Sequence, residues 1–309
     1  MPGPGSASGD AGRQIVDAHA HVWRRSRAGL EWLAEVPEVD RDADLAGLRS
    51  AAPADVDGFV LVQAVNDASE SVELLAAAAG AAPSGPAQAA APGSAGDRAA
   101  VLAVVGWVDL AAADAAEQLS ALAASPGGER LAGIRHLAHI DPDPEWLLQP
   151  ATTHGLDAVA RAGLAFDLVV RPGQLATAAR AADAHDGLLF VLDHLAQPPA
   201  DAATPSFDVW ERGLRELARR PNVVAKVSGI AQRDPSDAAR QRLDRVLEIA
   251  LDAFGPGRLM VGSDWPLVDL ADGYGSWVQS YLTATAELSA DEQHALDRGT
   301  ALARYGRAG

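Results

Sequence analysis

The chain has 309 residues, of which 48% are hydrophobic, so it can bury a sizeable core. Its formal net charge of −17 repels polyanions, which argues against nucleic acid and membrane surfaces and leaves a small molecule as the expected partner. The chain has no cysteine, which excludes disulfides, thiolate metal ligands and a thiol nucleophile.

Eight apolar segments of strand length are spaced along the chain, and several are apolar at every position, as is typical of parallel strands covered on both faces. The predicted strands are 15–20, 58–62, 101–108, 132–137, 164–170, 188–193, 222–227 and 259–262. The predicted helices are 70–79, 112–124, 153–162, 174–185, 209–219, 238–253 and 290–304. This alternation predicts an α/β fold with a single (β/α)8 TIM barrel, and an open doubly wound sheet is the structural alternative.

Two segments fall outside the alternation. Residues 1–13 are rich in Gly, Pro, Ser and Ala and are predicted to be a disordered tail, so the barrel domain covers residues 14–309. Residues 80–98 are a low-complexity run of Gly, Pro, Ala and Ser, which predicts a flexible insert. Because the sequence shows no secretory signal and no apolar run of membrane-spanning length, we expect a cytoplasmic protein.

The first predicted strand carries Asp17, His19 and His21 at a spacing of two. Strand alternation puts all three side chains on one side, which in a barrel is the interior near the catalytic mouth. Two imidazoles there form half of a metal site, and Asp17 is expected to orient one of them. The alternative is a pair of packed, hydrogen-bonded histidines.

Polar side chains also stand at the ends of later strands. Asp264 follows the eighth strand and is a candidate general base or metal ligand, with a helix or turn cap as its alternative. His194 directly follows the sixth strand, with a capping or loop histidine as its alternative. Arg135, at the end of the fourth, is suited to a substrate carboxylate or carbonyl, or to an ion pair with a nearby aspartate. Lys226 lies within an apolar strand, where a lysine is paired or functional, and Ser228 is expected on the same side.

Softer candidates for substrate contact are Gln63, Trp107 and Trp265, each at or beyond a strand end. The remaining histidines outside a strand-end context are interpreted as surface residues: His139, His154, His185 and His294.

Taken together, the motifs resemble the amidohydrolase superfamily, in its amidohydrolase-related branch of TIM-barrel metal-dependent hydrolases. The resemblance is carried, in the family's order, by IVDAHAHVW at 15–23, LVQ at 61–63, VGWVD at 105–109, GIRHL at 133–137, FDL at 166–168, LDH at 192–194, KVSG at 226–229 and VGSDWP at 261–266. Within that branch the chain is most similar to sugar-lactone hydrolases acting on fuconolactone or rhamnonolactone, and to the lactonase that opens 2-pyrone-4,6-dicarboxylate.

The resemblance implies a site at the carboxyl ends of the strands with His19, His21, His194 and Asp264 as metal ligands. Two-metal relatives carry a lysine or glutamate after the fourth strand and a histidine after the fifth. Here those strands offer Arg135 with His136, and Asp167. We therefore expect one divalent ion, zinc by preference, with metal-free operation as the alternative.

The expected reaction is hydrolysis of a lactone by an activated water. Asp264 takes the proton of water, while His194 and the other histidines polarise the carbonyl. Arg135, Gln63 and Lys226 are expected to bind substrate oxygens, Trp107 and Trp265 to contact the substrate, and Trp23 and Trp265 to form apolar walls. The alternatives are a metal-dependent decarboxylase of the same superfamily and a non-catalytic ligand-binding barrel. The sequence leaves open which lactone is used and whether the chain forms a homodimer.

Overall fold

Eight parallel strands pair in chain order in the computed structural model, which describes residues 12–80, 99–231 and 237–306, without the side chains of 237–239. The strands are β1 (Ile15–Ala20), β2 (Val56–Val62), β3 (Ala100–Gly106), β4 (Leu131–His136), β5 (Ala165–Leu168), β6 (Phe190–Leu192), β7 (Val223–Val227) and β8 (Leu259–Val261). The chain closes the sheet just beyond β8, where the amide of Asp264 donates to the carbonyl of His19 at 2.8 Å and that of His21 to Trp265 at 2.7 Å. The predicted (β/α)8 barrel is confirmed, and each predicted strand overlaps an observed one.

Helices connect the strands and cover the outside of the barrel. They are α1 (Leu45–Ala51), α2 (Ala68–Gly80), α3 (Ala115–Ala123), α4 (Pro150–Arg161), α5 (Leu175–Ala184), α6 (Pro205–Ala218), α7 (Asp237–Phe254), α8 (Gly273–Ala284), α9 (Ala290–His294) and α10 (Thr300–Tyr305). The closing helix begins after Ser289 as predicted, with a reciprocal capping box to Glu292, but a π-helical turn at Ala295–Gly299 separates α9 from α10.

Helices α1 and α8 were not predicted. Asp44 caps α1 by accepting from the amide of Gly47 at 2.7 Å. Helix α8 begins GYGSW, and glycine, aromatic residues and serine have low helix propensity, so the local signal for a helix is weak there.

The barrel interior is a layer of small and β-branched side chains that includes Val16, Val60, Val191 and Val224. Tyr305 of α10 packs against this layer. Nearer the carboxyl ends of three strands, the inward side chains become charged. They are Asp167 in β5, Asp193 directly after β6 and Lys226 in β7. A larger apolar cluster fills the space between the sheet and the helices.

The predicted tail and insert lie outside the described residues except for Gly12, Arg13 and Gly80, the last residue of α2. The guanidinium of Arg13 contacts the carboxylate of Asp297, with 2.7 Å between Nε and Oδ2. Among the helices in the described part of the chain, none is long and apolar enough to cross a membrane.

Candidate active site

Four side chains from β1, β6 and β8 and the residues that follow them meet at the barrel mouth. Nε2 of His19 lies 3.2 Å from Nε2 of His21. Oδ1 of Asp264 lies 3.3 Å from Nε2 of His21, 3.7 Å from that of His19 and 4.0 Å from that of His194. The side chains of His194 and Asp264 are 10% and 11% exposed, so the cluster is reached from solvent on their side.

The partner of each Nδ1 atom decides which ring nitrogen is free. Nδ1 of His21 lies 2.7 Å from the carbonyl oxygen of Val62, which can only accept, so this nitrogen carries the proton. Nδ1 of His194 lies 2.9 Å from the hydroxyl of Ser228. Nδ1 of His19 lies between a carboxylate oxygen of Asp193 at 3.2 Å and the ammonium of Lys226 at 3.1 Å. Nε2 of His21 is thereby left as an electron-pair donor facing Asp264, and a neutral His19 or His194 presents its Nε2 in the same way when Nδ1 carries the proton.

The donor atoms of His19, His21 and Asp264 lie within 4.8 Å of one another and fit a single divalent ion, and Nε2 of His194 lies 4.0 Å from the same oxygen of Asp264. Zinc bound tetrahedrally at about 2.0–2.1 Å separates its ligand atoms by about 3.3 Å, close to the shorter distances measured between these four groups. Oδ1 of Asp264 is buried and has no hydrogen-bond partner among the described residues, which is costly for a carboxylate oxygen unless a cation faces it. A second set, His19, Asp193 and His194, also has its donor atoms within 4.8 Å, but Asp193 is already paired with Arg135 and Lys226.

The protonation states suit metal ligation. Burial lowers the pKa of His19 well below its ordinary value and also lowers that of His194, so both rings stay neutral near pH 7. Burial by itself would raise the pKa of Asp264, but the imidazoles of His194, His21 and His19 outweigh it and hold that pKa below its ordinary value. The carboxylate is therefore ionised where it meets the histidines.

The backbone of two site residues is left-handed, which disfavours residues with a side chain. His194 has φ +54° and Asp264 has φ +61°, and residues 194–197 are left-handed throughout. Each such residue costs about 1–2 kcal/mol, so the surroundings must hold it. The indole of Trp210 does so in part by donating to the carbonyl of Leu195 at 2.7 Å.

Arg135 connects the histidine cluster to β2 and β6. Its Nη1 lies 2.9 Å from Oδ2 of Asp193 and 3.2 Å from Nε2 of His19, and its Nη2 donates to the carbonyl of Gln63. The ion-pair alternative for Arg135 is thus present, inside the site. Nε of Arg135 and Oε1 of Gln63 are both buried, and neither has a hydrogen-bond partner among the described residues.

Comparison with known proteins identifies the family. A family model described as amidohydrolase matches residues 16–307. A relative from Burkholderia multivorans, named L-fucono-1,5-lactonase, is 33% identical over 303 residues, 94% of this chain and 95% of the relative. This chain belongs to the amidohydrolase family.

Two further similarities agree with this assignment. An L-fucono-1,5-lactonase from Burkholderia ambifaria is 35% identical over 181 residues, which is 58% of this chain and 61% of that relative. A crystal structure of a Burkholderia multivorans amidohydrolase with bound zinc is 30% identical to this chain and has a TM-score of 0.82. The match covers 96% of this chain and 100% of that structure's chain. Decarboxylases of aromatic acids are similar at 17% identity or less, a level that shows the fold alone.

The structure corrects the expected role of Asp17 in this amidohydrolase. The β1–β2 pairing is irregular between Asp17 and Ala20, so the side chains of β1 do not alternate as expected. The Asp17 carboxylate accepts from the hydroxyl of Tyr274 in α8 and from the amide and hydroxyl of Ser263 at 2.9 and 2.6 Å. Because it also accepts from the amide of His19, it fixes the backbone of this strand end, and its hydrogen bonds in the described part of the chain reach no imidazole.

Lys226 lies in the interior as expected for a paired lysine and is 0% exposed. Its ammonium nitrogen lies 2.6 Å from Oδ2 of Asp167, 3.0 Å from Oδ1 of Asp193 and 3.1 Å from Nδ1 of His19. Ser228 faces the same side, as predicted, and contacts His194.

The two tryptophans with expected substrate contacts lie in different places. Trp107 is half-buried, and its indole donates to Nδ1 of His136 at 3.2 Å. Trp265 is 2% exposed, and its ring lies below the guanidinium of Arg41, 5.7 Å away, close to Gly47 of α1. Of the two, Trp107 therefore has the more exposed surface.

The interpretation of the remaining histidines as surface residues was wrong for two of them. His185 is 7% exposed, and its Nδ1 lies 2.9 Å from Asp157. His139 is half-buried, and its Nδ1 is buried without a hydrogen-bond partner in the described part of the chain. Burial, with the positive charges of Arg135 and Arg171, lowers the pKa of His139 to about 4. Its position three residues after β4 was the available signal, because loops after barrel strands surround the active site.

Proposed function

We propose that this amidohydrolase hydrolyses an aldonolactone, the cyclic ester of a sugar acid, with one zinc ion held by His19, His21, His194 and Asp264. The observation that carries the proposal is the convergence of three imidazole Nε2 atoms on a buried carboxylate oxygen that has no partner among the described residues. The names of the two Burkholderia relatives and the zinc-bound neighbour support the choice of lactone and metal.

Asp264 is the proposed general base. As the oxygen of water bonds to the lactone carbonyl carbon, its proton passes to the ionised Asp264 carboxylate; the ring oxygen then leaves and takes up a proton, which yields the hydroxy acid. A bound divalent ion supplies Lewis acidity to the carbonyl oxygen and to water. His194, the other partly exposed member of the cluster, would hold that ion through Nε2 while its Nδ1 faces the hydroxyl of Ser228.

Arg135 and Gln63 are the proposed contacts to substrate hydroxyls. Nε of Arg135 is a donor and Oε1 of Gln63 an acceptor, and both are buried with no partner among the described residues. A hydroxyl group can both accept and donate, so substrate hydroxyls are the substituents that suit a free donor and a free acceptor alike. Trp107 is the proposed apolar wall, since an indole face packs against the C–H face of a sugar ring.

The proposal is tested by acid release from a panel of lactones followed with a pH indicator. The panel contains L-fucono-1,5-lactone, a rhamnonolactone and 2-pyrone-4,6-dicarboxylate, and the protein is assayed as purified, after chelator, and with zinc restored. We expect hydrolysis above the spontaneous rate, fastest with a sugar lactone, lost with chelator and regained with zinc. Acid release from none of them would contradict the proposal, and carbon dioxide release from carboxylated aromatic acids would replace it with decarboxylation.

A further inference from the structure

A buried charge cluster lies directly behind the histidines. Asp167, Asp193 and Lys226 are 0% exposed, and Arg135 is 3% exposed. Two carboxylates are thus balanced by one ammonium and one guanidinium. Buried ion pairs are expensive to desolvate and are weak evidence for stability alone, so such a cluster invites a role in specifying geometry.

Tyr305, the last residue of α10, extends the cluster away from the site. Its hydroxyl donates to Oδ2 of Asp167 at 2.7 Å, the same oxygen that accepts from Lys226 at 2.6 Å. Its ring also lies beneath the Lys226 ammonium, 5.3 Å from ring centre to nitrogen. Burial and the Asp167 carboxylate raise the pKa of Tyr305 well above its ordinary value, so the hydroxyl remains a donor.

The contacts continue from Lys226 to a proposed metal ligand. The Lys226 ammonium lies 3.1 Å from Nδ1 of His19 and 3.0 Å from Oδ1 of Asp193, and the same Asp193 oxygen is 3.2 Å from Nδ1 of His19. The position of the ammonium therefore decides how Asp193 and His19 face each other. Among the described residues, Oδ1 of Asp167 has no hydrogen-bond partner, and Oδ2 accepts from Tyr305 and Lys226. Loss of the Tyr305 hydroxyl would therefore leave Lys226 as the one described residue that donates to this carboxylate.

We propose that Tyr305 is a positioning residue for the metal ligand His19, acting through Asp167 and Lys226. The inference rests on the proposed function in one respect, that His19 binds a divalent ion. When the hydroxyl is removed, Asp167 draws the ammonium closer, and the hydrogen bond and field at Nδ1 of His19 change. The ring nitrogen on the metal side responds, because the partner of one imidazole nitrogen tunes the other.

Helix α8 and Asp297 offer a matched control. The hydroxyl of the fully buried Tyr281 donates to Oδ1 of Asp297 at 2.7 Å. That aspartate is paired with Arg13, whose guanidinium lies 5.3 Å from the Tyr281 ring centre. Tyr281→Phe therefore removes the same kind of bond from the same kind of aromatic, carboxylate and cation arrangement, but the Asp297 carboxylate that loses this bond is paired with Arg13 and, among the described residues, contacts neither Lys226 nor a histidine.

The experiment compares Tyr305→Phe with Tyr281→Phe in the full chain. The zinc dissociation constant is measured by competition with a chromophoric chelator, the cobalt-substituted proteins are compared by visible absorption, and thermal melting is recorded. For Tyr305→Phe we expect zinc affinity to fall about threefold to tenfold, less than for a direct ligand partner, with a changed cobalt spectrum. For Tyr281→Phe we expect a similar loss of melting temperature with zinc affinity and cobalt spectrum unchanged.

A double-variant cycle tests the route through Asp167. If Tyr305 acts through this carboxylate, Tyr305→Phe has no further effect on zinc affinity once Asp167→Asn is present. Additive effects, or wild-type zinc affinity in Tyr305→Phe, would overturn the inference, as would a wild-type protein that binds no divalent ion. Because none of these readouts uses a lactone, an absence of lactone hydrolysis would refute the proposed function and leave the positioning role standing.

Discussion

Gly229, two residues beyond β7, is predicted to be irreplaceable because it lies against two members of the site. A Cβ built on its backbone would lie 2.5 Å from Nδ1 of His194 and 3.2 Å from Oδ2 of Asp264. Heavy atoms in favourable contact are about 3.5 Å apart, so in Gly229→Ala the imidazole must move by about 1 Å. A displacement of about this size costs about a hundredfold in rate.

We therefore expect kcat/KM for the best lactone to fall about a hundredfold in Gly229→Ala, equal to about 2.7 kcal/mol of transition-state stabilisation. Gly229 also has φ +61°, where alanine adds backbone strain whatever the space. Gly163→Ala separates the two effects, because Gly163 has φ +66° and a Cβ added there would meet no atom of the described residues within 4 Å.

Steady-state hydrolysis and thermal melting are compared for both variants. Each is expected to lose about 1–2 kcal/mol of unfolding free energy from left-handed strain, with Gly229→Ala losing more. Gly163→Ala should keep the wild-type kcat/KM. A kcat/KM of Gly229→Ala within about threefold of the wild-type value would refute the reasoning, because a displaced His194 is expected to weaken transition-state stabilisation and so to lower kcat/KM.

Two further predictions concern single side chains. Ser228→Ala removes the partner 2.9 Å from Nδ1 of His194, so zinc affinity by chelator competition should fall about tenfold to a hundredfold; an unchanged affinity would show that Ser228 does not orient the ring. Burial and nearby arginines lower the pKa of His139 to about 4 in the folded protein. Between pH 6.5 and 4 its imidazole is therefore neutral in the folded state, whereas in the unfolded state it takes up a proton below its ordinary pKa of 6.5. Stability should accordingly fall as the pH drops from 6.5 to 4, and less steeply in His139→Gln. Urea unfolding across that range measures both slopes, and equal slopes would contradict the assignment.

The strands and the four convergent residues could be predicted because their signals are local. Apolar runs such as Val101 to Val105 have strand length, and His19, His21, His194 and Asp264 each stand at or just after such a run. Parallel strands in a barrel bring their carboxyl ends together, so position along the strand was enough to group these residues.

The remaining features depend on geometry that a strand pattern does not encode. Alternation failed at Asp17 because the β1 register shifts before Ala20. The left-handed backbone of His194 and Asp264 has no sequence signature, since both are ordinary L-residues held by tertiary contacts. The bond from Tyr305 to Asp167 joins residues 138 positions apart, beyond the reach of any local pattern.

Asp264 is the residue on which the proposed lactone hydrolysis depends most, because it works together with the histidines. The most direct test is the kcat of Asp264→Asn for the best lactone, with Asp269→Asn as the control. Asp269 lies five residues after Asp264, is partly exposed and is paired with Arg41. We predict that Asp264→Asn keeps its fold by circular dichroism and loses at least about a hundredfold in kcat, while Asp269→Asn stays near wild type. A folded Asp264→Asn protein that opens the lactone at the wild-type rate would contradict the claim.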